Sequence, residues 1–159
     1  PIACIKARPV MAVPDPPGGV VVLAHSGKLA ETGPAVAAER KLEQTRLSQT
    51  TAAIAALGRI AAQGRAAIHQ NDLAALGRLL DRDQALLQGL TVSDPLLDQL
   101  IAAARQAGAL GAKLTGGGRG GCLIALCSDL PHADHVAAAL QQAGAPATWI
   151  DPLDSEVQS

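Results

Sequence analysis

The sequence predicts an α+β fold, an antiparallel sheet covered on a face by helices. Three observations carry this. Short β-branched or apolar runs stand near both ends of the chain. A long stretch between them shows only helical periodicity. Near the end, two strand-like runs flank a glycine-rich connection, followed by an alanine-rich helix and a last strand.

The elements follow in order. Ile2-Ala3-Cys4-Ile5 reads as extended, and Asp15-Pro16-Pro17-Gly18-Gly19 as a turn cluster. Val20-Val21-Val22-Leu23-Ala24 reads as a buried strand. Thr32-Gly33-Pro34 supplies a helix start, with proline where a missing N–H costs nothing. Helix then runs to about residue 107 with two interruptions. Leu57, Ile60, Ala61, Gly64 and Ile68 form one apolar stripe; Asn71-Asp72 breaks the run and caps a second helix bearing Leu73, Leu76, Leu79, Leu80, Leu86 and Leu87. Ser93-Asp94-Pro95 starts a third, with Leu96, Leu97, Leu100, Ile101 and Ala104 on one side and Gly108 closing it. Gly58, Gly64 and Gly77 sit inside these helices, each at a cost of up to roughly 1 kcal/mol against alanine, and close helix–helix contact is the expected reason. Beyond them, Ala112–Thr115 and Cys122–Cys127 read as strands, Pro131–Ala143 as a helix and Ala147–Ile150 as a strand. No repeat or long linker divides residues 1–159, so a single domain is expected.

Composition narrows the function. The chain has no Phe or Tyr and a single Trp149, so its core rests on Leu, Ala, Val and Ile, and the scarcity of aromatic faces argues against base-stacking platforms for nucleic acid. A formal net charge of −1 with mixed signs leaves no basic patch for a polyanion. Cys4, Cys122 and Cys127 are odd in number and show no metal-ligand spacing; on one strand, Cys122 and Cys127 point to opposite faces. Free thiols, no signal peptide and no apolar run long enough for a bilayer point to the cytoplasm and away from membranes. Pro1, opening mid-strand without Met, points to a processed or truncated chain.

Chemistry concentrates in Thr115-Gly116-Gly117-Gly118-Arg119-Gly120-Gly121. Five glycines demand unusual backbone angles or close approach of another group, and the run is longer than a hairpin needs. Successive exposed amides form an anion nest. The run is neither a Walker A loop nor a dinucleotide fingerprint, so phosphate proximity stands beside a plain flexible hairpin.

The segment Gly108–Leu126 resembles the third conserved motif of GHMP kinases, in the form closest to bacterial mevalonate kinases. Val22-Leu23-Ala24-His25-Ser26-Gly27-Lys28, Thr32-Gly33 and Ala35-Val36 are similar to the strand, loop and helix start that precede the helical block in that family, and Gly144–Leu153 to its closing strand. The resemblance covers essentially the whole chain. It implies the C-terminal, ferredoxin-like domain of a two-domain kinase that transfers the ATP γ-phosphoryl group to the 5-hydroxyl of mevalonate with Mg²⁺. The family's phosphate loop, metal ligands and catalytic Asp and Lys lie in the N-terminal half. The resemblance therefore implies no catalytic or metal-binding residue in this chain, no tight cofactor binding by it alone, and a missing N-terminal domain as partner. Carried over, Gly116, Gly117, Gly118, Gly120 and Gly121 line the substrate cleft, Thr115 stands at its edge, and Ser26 matches a small hydroxyl residue near the substrate. His25 stands where the family more often has Asp.

Alternatives remain. The substrate could instead be phosphomevalonate, homoserine or a sugar, or the chain could be a non-catalytic module that binds a metabolite or protein. Arg119 reads as a cation beside a transferred phosphate or as a solvated loop tip. Lys113 reads as a structural strand lysine and Lys28 as a surface one. His132, Asp134 and His135 lack a third convergent ligand, His69 complements a helix dipole, and Cys122 reads as core with no His base nearby. A lone domain would expose the surface that meets its other half, so a homo-oligomer is also expected.

Overall fold

A computed structural model describes residues 18–28 and 47–153. The extended reading of residues 2–5, the prolines of the first turn, the helix start at Thr32-Gly33-Pro34 and Cys4 lie outside them. The described residues form β1 (Val20–His25), α1 (Leu47–His69), α2 (Leu73–Gly89), α3 (Pro95–Gln106), β2 (Gly111–Thr115), β3 (Cys122–Cys127), α4 (Leu130–Gln142) and β4 (Ala147–Pro152). The sheet is antiparallel throughout, in the order β2-β3-β1-β4. This is the expected α+β architecture, a β-α-β-β-α-β arrangement whose first crossover carries three described helices.

Register follows from which residues are apolar. Val20 stands opposite Cys127, Val22 opposite Ala125 and Ala24 opposite Leu123. Ala112 and Leu114 extend the same rows. These side chains form the inner face, covered by Leu97, Leu100, Ile101 and Ala104 of α3 and Ala133, Val136, Ala137 and Leu140 of α4. A one-residue slip would turn every one of them outward. The buried core among the described residues is aliphatic, and Trp149 faces the other way, 53% exposed.

The helix starts are local. Asp72 caps α2 by accepting the Ala75 N–H at 2.8 Å, and Asn71 takes a left-handed φ of 56° before it. Asp94 caps α3 through the N–H groups of Leu96 and Leu97, with Pro95 in the first turn. Gly108, at φ 94°, ends that helix as expected.

The helical glycines divide. A Cβ on Gly58 would meet nothing within 4 Å, and one on Gly64 only a Leu76 methyl at 3.8 Å. At Gly77 it would lie 2.2 Å from the Leu110 carbonyl oxygen, and at Gly111 2.0 Å from that of Gly77. The expectation of helix–helix contact is therefore corrected. Only Gly77 is demanded by contact, and its partner is the start of β2.

That approach lays α2 along the free edge of β2. Asp81 accepts the Ala112 N–H at 3.0 Å and Gln84 the Leu114 N–H at 3.0 Å. Arg105 donates to the Ala112 carbonyl at 3.0 Å and to Asp81 at 2.7 Å. An edge strand that would otherwise present unpaired amides is thus covered by side chains.

Candidate functional site

Paired strands β2 and β3 deliver Thr115 and Cys122 opposite one another, so residues 116–121 are the connection between them. Gly116, Gly118, Gly120 and Gly121 have φ of 84°, 73°, 122° and 81°, and Arg119 a φ of 55°. Glycine adopts such angles freely; arginine does so at a cost of about 1 kcal/mol. At Gly118 a side chain is doubly excluded, since its Cβ would lie 2.1 Å from the Val92 carbonyl oxygen.

The loop is clamped from two sides. Arg119 donates its N–H to the Val92 carbonyl at 2.9 Å. Gly121 donates to the Lys28 carbonyl and its own carbonyl accepts the Ser26 N–H, both at 2.8 Å. The amides of Gly116, Gly117, Gly118 and Gly120 donate to no other described residue. The Arg119 guanidinium likewise forms no ion pair or hydrogen bond among the described residues. The loop thus combines donors on exposed Gly116 and Gly117, further amides on buried Gly118 and Gly120, and one positive charge, a combination suited to an anion.

Ser26 is 4% exposed at the end of β1, and its Oγ accepts the Lys28 N–H at 3.3 Å. The Lys28 ammonium meets the buried Asp94 carboxylate at 2.5 Å. That hydrogen bond, aided by the capped amides of Leu97 and Leu96, holds the Asp94 carboxyl below its ordinary value despite its burial. The surface-lysine reading of Lys28 thus gains a specific partner, 66 residues away. The residues singled out in the sequence, Ser26 and Thr115 through Gly121, come together at one end of the sheet beside the start of α3.

Sequence reasoning missed the support behind this site. Gln84 is fully buried; besides holding Leu114, it donates to Ser93 Oγ and Asp98 Oδ1, both at 3.1 Å. Gln88 and Ser93 also donate to Asp98, at 2.8 and 2.6 Å. A readable signal existed: Gly77, Asp81, Gln84 and Gln88 recur at helical steps, a face too polar and too small for a core.

Other candidates resolve as follows. Lys113 pairs with Asp83 at 2.5 Å, a structural role. His132 sits at the start of α4 with its Nδ1 3.1 Å from Ser128 Oγ, and no metal-competent cluster of three His, Cys, Asp or Glu exists among the described residues. Cys127 lies in the core, where burial, then the Asp129 charge, pushes its thiol up to about 11. Cys122 is only half-buried, and His25 stands directly across from it in the β1–β3 ladder. The expectation of no histidine near Cys122 is therefore corrected; strand pairing between residues far apart in sequence decides it. The His25 Nδ1 already accepts the Gly27 N–H at 2.9 Å, and no hydrogen bond joins it to Cys122.

Residues 65–146, just over half of the chain, match the family model of the GHMP kinases C terminal. A mevalonate kinase of Pyrococcus horikoshii is 35% identical over 67% of this chain and 33% of its own length. The crystal structure of L. major mevalonate kinase in complex with R-mevalonate superposes with a TM-score of 0.77 at 30% identity, covering 83% of this chain and 41% of that one. Human galactokinase is 43% identical over 45% of this chain and 19% of its own. The chain thus spans about a third to two fifths of the mevalonate kinases it matches.

Proposed function

Since the chain belongs to the GHMP kinase family through its C-terminal domain, we propose that it forms, as a single domain, one wall of the substrate cleft of a mevalonate kinase. The observation that carries this is the clamped glycine loop, with its undirected amides and the strained Arg119 at its tip. In phosphoryl transfer, catalysis is mostly positioning and electrostatic stabilisation, and preorganised amides near the transferred group serve both. The amides of exposed Gly116 and Gly117 are the donors available to the cleft, and Gly121 fixes the loop to the turn that follows β1. Arg119 places its charge near the phosphoryl oxygens, which gives a reason for holding a non-glycine residue at positive φ. Ser26 and Thr115 line the cleft beside the substrate.

ATP and Mg²⁺ enter this reading through an N-terminal half that completes the enzyme. The loop's donors suit the charge of a nucleotide phosphate. The family resemblance assigns the metal ligands and the proton-accepting group to that other half. The enzyme acts in the cytoplasm.

The test is mevalonate-dependent ADP release by this chain alone and mixed with the N-terminal half of a mevalonate kinase. Activity is expected only in the mixture, and Gly118→Ala should lower it at least tenfold while the chain stays folded. Turnover by the chain alone, or an unimpaired Gly118→Ala mixture, would refute the assignment. The likeness to galactokinase supports a second reading, a sugar substrate; galactose-dependent ADP release without mevalonate turnover in the same mixture would establish it.

A further inference from the structure

Charge on the α1–α2 hairpin is one-sided. α1 contains no Asp or Glu. The hairpin's aspartates are all committed: Asp72 to the Ala75 amide, Asp81 to Arg105 and the Ala112 amide, Asp83 to Lys113. Arg59, Arg78 and Arg82 are exposed and form no ion pair or hydrogen bond among the described residues.

These three arginines border a groove. Two depressions, of about 390 and 320 Å³, lie between α1 and α2 and share Gln63 and Arg82. Ile60, Ala67, Ala75, Leu79 and Leu86 contribute apolar surface to them, and Arg59, Arg78 and Arg82 supply the charge. At 1.5 Å per residue, the groove side formed by α1 and the residue that follows it, from Ala56 to Gln70, is about 20 Å long, close to four helical turns.

We propose that this groove docks an amphipathic helix of a partner protein, with a small apolar seam flanked by Asp or Glu. Three features favour that occupant. Arginines without local counter-ions suit carboxylates, which their planar forks bind in pairs. Alanines in the groove allow close approach of helix axes. The length fits a helix lying in a groove, read through anchors on one face. A second copy of this hairpin is disfavoured, because it would set arginine against arginine while the hairpin's own aspartates are engaged elsewhere. A small polyphosphate would use the arginines and leave the apolar surface uncovered.

The experiment measures fluorescence anisotropy of the 159-residue chain with a labelled 20-residue helical peptide carrying a Leu/Ala seam and Glu on both flanks. Binding is expected to weaken at least tenfold between low and physiological salt. It should weaken by a similar factor for the R59E/R82E variant, whose circular dichroism should match the parent since both positions are exposed. A peptide of identical composition, scrambled to destroy the seam, should also bind at least tenfold more weakly. The proposal is overturned by absence of binding or by equal binding of the variant or the scrambled peptide. It is overturned too if tripolyphosphate displaces the peptide at matched charge, or if sedimentation shows the chain dimerising through this face.

Discussion

Substituting alanine for glycine within a helix ordinarily stabilises by up to about 1 kcal/mol, because the backbone loses less entropy on folding. In this chain the same substitution should have opposite signs at two helical positions. Gly58 has nothing within 4 Å of a new Cβ, so Gly58→Ala should stabilise by about 0.5–1 kcal/mol. At Gly77 the Cβ would stand 2.2 Å from the Leu110 carbonyl oxygen and 2.5 Å from its carbon. Both atoms are backbone, so no rotamer change relieves them, and α2 must withdraw from β2 by about 1 Å. Overpacking of this kind costs about 1–3 kcal/mol. The withdrawal also stretches the 3.0 Å bonds from Ala112 to Asp81 and from Leu114 to Gln84. A buried amide left unpaired costs about 1–3 kcal/mol. After subtracting the helical gain, Gly77→Ala should destabilise by about 2–5 kcal/mol. For a chain of this size that lowers the melting midpoint by roughly 5–20 °C. Urea unfolding followed by far-UV circular dichroism measures both variants against the parent. A Gly77→Ala chain as stable as the parent, or a Gly58→Ala chain as damaged as Gly77→Ala, would refute the reasoning.

Two further predictions concern titration. Asp94 has a carboxyl held below its unfolded value of 3.8, chiefly by Lys28, so its contribution is present above that value and is lost as pH falls through the lower folded value. Asp94→Ala should therefore cost about 1–2 kcal/mol near neutrality, mostly through the lost helix cap. The gap to the parent should narrow below about pH 3.8; a gap independent of pH would contradict the assignment. Cys127, with a thiol pushed up to about 11 in the core, should resist alkylation at pH 8 while half-buried Cys122 reacts. Peptide mapping of the alkylated native chain decides it, and prompt labelling of Cys127 without denaturant would show the core to be open there.

How much was legible depends on the distance in sequence over which each feature is determined. Asp72, Asp94 and Gly108 announce helix ends because a cap acts on amides or carbonyls a few residues away. The apolar rows of β1 and β3 announce strands because alternation is local. The glycine run announces unusual backbone by composition alone, and five of its six residues do take positive φ. What the sequence left open lies between residues brought together by folding. The clamp on the glycine loop joins Arg119 to Val92 and Gly121 to Lys28, and the pair that steadies it spans Lys28 to Asp94. Gly77 looked like any helical glycine until β2 came to lie against it, and Cys122 acquired His25 only through the β1–β3 register. Periodicity tells which face of an element turns inward, but not which distant backbone group that face will meet. That choice is made by the packing of α2, α3 and the sheet against one another, and the shape of the loop follows from it.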